Sequence, residues 1–95
     1  MKADMNGLNE QVVRLLAERK MTIASAESCT GGLFSALVTA VAGASEIINE
    51  SVVTYSNEAK IKYLGVSEST LSRHGAVSRE TAYEMAQGLY RNTGA

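Results

Sequence analysis

The sequence is short of the residues that most often announce a function. Its 95 residues include one cysteine, Cys29, one histidine, His74, and no proline. A single cysteine excludes an internal disulfide and suits a reducing compartment, so the expected location is the cytoplasm. One histidine and one cysteine, with no carboxylates clustered at ligand spacing, cannot close a zinc site, and no metal is expected. Charge of one sign is lacking too. Nine basic against ten acidic side chains leave a net charge of −1, without the basic footprint of a nucleic-acid or anionic-membrane binder. No run approaches the ~20 apolar residues needed to span a bilayer, and residues 1–10 are too polar for the core of a signal peptide. Neither a Walker loop nor a dinucleotide Gly-x-Gly-x-x-Gly is present.

What is there reads as one α/β domain with a modest core. Leu8, Val12, Leu15 and Leu16 recur at helical spacing and predict a helix over 8–19, with Asn6 as its cap. Thr22–Ala26 is a β-prone run, followed by the polar turn Glu27-Ser28-Cys29-Thr30-Gly31-Gly32 and an apolar helix from Leu33 to Val41, ended by Gly43. Ser51–Tyr55 is a β-branched and aromatic strand. Ser56-Asn57 then forms the turn and cap of a helix over 58–64, closed by Gly65. Residues 67–72 add a helical turn, and 74–77 form a loop or short strand. Ser78 caps a helix whose Ala82, Met85, Ala86 and Leu89 share a face. Strands alternating with helices predict a layered domain with at least one parallel pair. Two strands make a poor sheet, so the expectation is a domain incomplete at its C-terminal side, completed by further strands or by a partner chain.

In parallel α/β sheets, ligands bind beyond the carboxyl ends of the strands. Residues 27–32 occupy that place. Ser28 reads either as a helix cap or as an exposed nucleophile, with the next backbone N–H groups free to hold an oxyanion or phosphate. Gly31 and Gly32 let a ligand approach the main chain closely. Cys29 is a competing nucleophile, or a small buried side chain. Glu27 either pairs with a base, orients water, or complements the helix N-terminus. A serine nucleophile needs a base. His74 is one candidate, with a structural hydrogen bond in a turn as its alternative; an uncharged lysine amine of the Ser-Lys kind is the other. Lys60 is the best placed lysine, because parallel neighbouring strands would bring Ser28 and Lys60 to one rim of the sheet. Its alternative is a solvated surface lysine. Tyr55, at a strand end, offers a ring for stacking or a hydroxyl for bonding, or is an ordinary strand tyrosine.

Ala26-Glu27-Ser28-Cys29-Thr30-Gly31-Gly32, then Val53-Thr54-Tyr55-Ser56-Asn57-Glu58-Ala59-Lys60, Leu64-Gly65-Val66 and His74-Gly75-Ala76-Val77-Ser78, together resemble the CinA C-terminal domain family. The resemblance runs from about Leu8 to the end of the chain. It implies a three-layer α/β/α fold with a mixed sheet. It also implies hydrolysis of the amide of nicotinamide mononucleotide to nicotinate mononucleotide and ammonia, without metal or other cofactor. Ser28 would be the nucleophile and Lys60 the base. Tyr55 would line the substrate site, together with Glu27, Cys29, Thr30, Gly31 and Gly32. Family habit adds a homodimer. Members commonly carry a later Gly-Ile-Ala-Gly-Pro-type segment that helps complete the pocket, and the sequence stops before any such segment.

Overall fold

The computed structural model describes residues 7–95; Asn6, expected as a cap, lies outside them. Helix α1 spans Leu8–Glu18 and starts from Gly7 without a side-chain cap. Its inward face differs from the expected one. Val13 is buried with Leu16 and Ala17 packed beside it, whereas Leu8 and Leu15 stay exposed. The i, i+3, i+4 set that wins is the one that meets α2 and the turn ahead of the second strand.

Strand β1 is Ile23–Glu27 and strand β2 is Ile48–Val53; they pair in parallel. Both boundaries depart from expectation. Glu27 belongs to β1 rather than to the turn, because it pairs with Val53 and its carbonyl accepts the N–H of Thr54 at 2.9 Å. β2 begins three residues earlier than expected and ends two residues before Tyr55. Ile23 faces Ile48 but Ser25 faces Ser51, so β2 carries one extra residue, a bulge that interrupts the alternation.

Between the strands, α2 (Leu33–Thr39) ends before Val41. The chain tightens there into three-residue turns, Val41 N–H to Val38 O and Ala44 N–H to Val41 O. Gly43, at φ 88°, opens a 3-10 turn over Ala44–Glu46 instead of closing the helix. After β2, Ser56 caps α3 (Asn57–Leu64) by accepting the N–H of Ala59, and Gly65 ends it in the left-handed region. Helix α4 (Glu68–His74) is longer than the expected turn and takes in His74, so 75–77 is a bend and not a strand. Ser78 caps α5 (Arg79–Thr93), as the sequence predicts.

The two strands are sandwiched. On one face Ile23 and Ile48 join Val13 of α1 and Val38 of α2. On the other, Ala24, Ala26 and Val52 meet Leu64 of α3 and Met85 and Leu89 of α5. The result is a three-layer α/β/α arrangement. α3 and α5 approach so closely that a Cβ on Gly88 would stand 1.9 Å from the Leu64 carbonyl oxygen. Two side chains from the last turns of α5 reach back to the end of α3: Asn92 donates to Tyr63 O at 2.8 Å, and Arg91 to Leu64 O at 3.4 Å. These contacts fix α3, and with it Lys60, against the sheet. No helix among the described residues is long and apolar enough to cross a membrane.

Candidate active site

Ser28 is the first residue past β1, and Lys60 lies in the opening turn of α3 on its buried side. Because β1 and β2 run parallel, the turns that follow them leave from the same rim. Lys60 Nζ stands 3.0 Å from Ser28 Oγ although the residues are 32 apart in sequence. Lys60 is only 1% exposed. Its Nζ also donates to Thr54 O at 2.9 Å and Tyr55 O at 2.8 Å, so two main-chain carbonyls and one hydroxyl surround the nitrogen. No acidic side chain pairs with Lys60 among the described residues; away from Lys60, His74 Nδ1 stands 3.7 Å from Glu80 Oε1. The structure therefore joins Ser28 to Lys60 and sets His74 beside Glu80.

Glu27, next to Ser28, is 5% exposed and both carboxylate oxygens are occupied. One accepts the Thr30 hydroxyl and the Phe34 N–H, each at 2.8 Å. The other accepts the Ser35 N–H at 3.0 Å, the Ser35 hydroxyl at 2.7 Å and the Ser25 hydroxyl at 3.2 Å. Burial opposes ionisation, but the side-chain and backbone bonds from Ser35, with those from Thr30 and Phe34, outweigh it and bring the carboxyl down to about 2. The demand for this carboxylate comes from α2. Its capping position is Gly32, which has no side chain to accept the first N–H groups. Of the three readings of Glu27 from the sequence, complementing the helix N-terminus is the one this geometry fits.

The turn between Ser28 and α2 is built from consecutive left-handed residues, Gly31 at φ 62° and Gly32 at φ 105°. Its N–H groups divide into two sets. Gly31 N–H returns to Ser28 O at 3.0 Å, so it is not the free oxyanion donor the sequence suggested. Cys29 and Thr30 N–H have no protein partner among the described residues. The Cys29 side chain is exposed. Tyr55 contributes in an unforeseen way: its carbonyl holds Nζ and accepts weakly from Ser28 Oγ at 3.4 Å, while its side chain is 73% exposed at the rim.

Beside Ser28 an apolar cleft of about 550 Å³ runs between β1 and α5, walled by Ala26, Phe34, Val77, Ala82 and Met85. Val77 stands 92% exposed over it. The cleft was not foreseen; Ala82 and Ala86 share the helical face expected to be core, yet both remain exposed. Among the described residues no group of three His, Cys, Asp or Glu side chains could hold a metal ion.

The family model of the CinA C-terminal domain matches residues 5–95. A CinA-like protein of Desulforapulum autotrophicum is 60% identical over 86 residues, covering 90% of this chain and 20% of its own length. A CinA-like protein of Thermotoga maritima is 57% identical over 88 residues, covering 93% and 22%. Among solved structures, the competence damage-inducible protein A of Klebsiella pneumoniae superposes with a TM-score of 0.92 at 39% identity, over 94% of this chain and 55% of that one. A CinA superfamily protein of Escherichia coli gives 0.92 at 31% identity, over 98% and 54%. The chain thus spans about a fifth of the length of these curated relatives and about half of the solved chains. With the family model matching residues 5–95 and solved relatives superposing over almost all of it, the chain belongs to the CinA C-terminal domain family.

Proposed function

We propose that Ser28 and Lys60 are the catalytic pair of an amidohydrolase that converts nicotinamide mononucleotide to nicotinate mononucleotide and ammonia. One observation carries this reading: a buried lysine amine with no acidic partner among the described residues lies within bonding reach of the Ser28 hydroxyl. An uncharged lysine amine has two N–H donors and one lone pair. Nζ donates to Thr54 O and Tyr55 O and stands 3.0 Å from Ser28 Oγ; once the amine is uncharged, that third position is its lone pair and can take the Ser28 proton.

The Ser28 proton passes to Nζ as Oγ attacks the carboxamide carbon. The oxyanion of the tetrahedral intermediate is met by the N–H groups of Cys29 and Thr30, which have no competing protein acceptor among the described residues. As the C–N bond breaks, Nζ returns the proton to the departing nitrogen and ammonia leaves. A water molecule, deprotonated by the same amine, then hydrolyses the acyl-serine and restores Ser28. The apolar cleft next to Ser28 suits the flat pyridinium ring.

The test is ammonia release from nicotinamide mononucleotide by the full-length protein, with calorimetry alongside. Ser28→Ala and Lys60→Ala each abolish turnover and leave the circular dichroism spectrum unchanged. Full release by Ser28→Ala removes the mechanism. Nucleotide binding without hydrolysis by the unaltered protein makes the domain a binding module instead.

A further inference from the structure

Ser28 and Lys60 belong to separate turns, and no covalent link sets their separation. Glu27 touches both. Its carboxylate accepts from Thr30 and from the first N–H groups of α2, which fixes the Ser28-Cys29-Thr30 turn against β1. Its backbone carbonyl accepts the N–H of Thr54, and the carbonyls of Thr54 and Tyr55 are the two that hold Lys60 Nζ. With five donors on two oxygens, the carboxylate has nothing left to offer a ligand in the cleft.

We infer that Glu27 is a positioning residue for the Ser28–Lys60 pair, clamping the two turns in register rather than contacting substrate; this rests on the catalytic reading of that pair. Backbone donors explain why a carboxylate is required. Phe34 and Ser35 N–H groups sit in helical backbone and cannot turn away. The –NH₂ of a glutamine would face one of them, donor against donor, and push the turn aside. A shift of about 1 Å between nucleophile and base costs on the order of 10²-fold in rate.

The experiment measures nicotinamide mononucleotide hydrolysis by full-length Glu27→Gln, normalised to folded protein, beside the Lys60 Nζ resonance in ¹⁵N-labelled protein. The expected result is a kcat lowered about 10–100-fold with KM within about threefold of the original, and a shifted Lys60 resonance whose protons exchange faster with water. A KM raised tenfold with kcat intact identifies a substrate ligand and overturns the inference, as does an unchanged kcat together with an unchanged resonance. If Glu27→Gln does not fold, Ser35→Ala and Thr30→Val remove single donors; each then lowers kcat about 3–10-fold with KM unchanged, and the absence of any loss in both overturns the inference. If the unaltered protein releases no ammonia, the amidase reading fails, while the Lys60 resonance still decides whether Glu27 sets the geometry.

Discussion

Replacing Lys60 with methionine separates the chemistry of Nζ from the packing of its stem. Methionine fills nearly the same buried volume, so little cavity opens; three hydrogen bonds are lost, to Ser28 Oγ, Thr54 O and Tyr55 O. Ser28 is half-buried and Tyr55 exposed, so water can reach those two acceptors. Thr54, at 2% exposure, leaves its carbonyl dry, a loss of about 1–3 kcal/mol. Against this, the variant no longer encloses an amine that has no acidic partner among the described residues, which offsets a cost of similar size. The net change in stability is therefore within about 2 kcal/mol. Lys60→Ala also empties the space of the stem and costs about 2–5 kcal/mol. Turnover behaves differently, because losing the base costs about 10²–10⁴-fold in either variant. Urea unfolding followed by circular dichroism, beside ammonia release, reads both quantities. Lys60→Met turning over within tenfold of the original refutes the role as base. A loss of stability in Lys60→Met as large as in Lys60→Ala refutes the reasoning about the cradle, since Nζ would then be holding the turn together.

Acid tests Glu27 with a definite sign. Its folded value of about 2 lies below the ordinary 4.5, so the stabilisation, about 3 kcal/mol, is complete above pH ~4.5 and lost as pH falls towards 2. Glu27→Gln should flatten unfolding free energy across that window, and an unchanged acid limb contradicts the assignment. Gly88→Ala sets a better helix former against a 1.9 Å clash with Leu64 O. Backbone cannot yield as a side-chain tip does, so the variant loses at least about 2 kcal/mol despite the propensity gain of about 1 kcal/mol; higher stability in a thermal melt refutes the close packing of α3 on α5. Thr54 Oγ1 is buried with no partner among the described residues, so Thr54→Val should leave stability equal or raised by up to about 1 kcal/mol. A loss above that in urea denaturation means the hydroxyl has a partner.

How much of this could be read from the sequence depends on whether side chains or main chain carry the feature. Ser28 and Lys60 are legible because strand, turn and helix repeat twice and parallel strands send both turns to one rim. The start of β2 is not, since exposed Asn49 and Glu50 and the bulge beside them break the period-two pattern. His74 reads from the sequence as part of a loop or short strand, but α4 takes it in; Leu71 packs on the core and a polar device holds the start of the helix. Glu84 on α5 accepts the N–H of Ser67 at 2.8 Å and the hydroxyl of Thr70. These bonds, the backbone one first, lower the Glu84 carboxyl below its ordinary value.

The chemistry of the site follows the same division. Lys60 reads from spacing alone as a solvated surface residue, and what makes it otherwise is a pair of backbone carbonyls after β2. Any residue type at positions 54 and 55 would supply an identical carbonyl, so Thr54 and Tyr55 carry no letter that marks the role. Glu27 is the converse case. Its letter is visible, but its meaning depends on Gly32 leaving α2 uncapped and on the helix turning Phe34 and Ser35 towards it. A substitution scan over side chains alone would thus find Ser28, Lys60 and Glu27 and miss the carbonyls that join them. Those carbonyls respond only to changes that move the backbone.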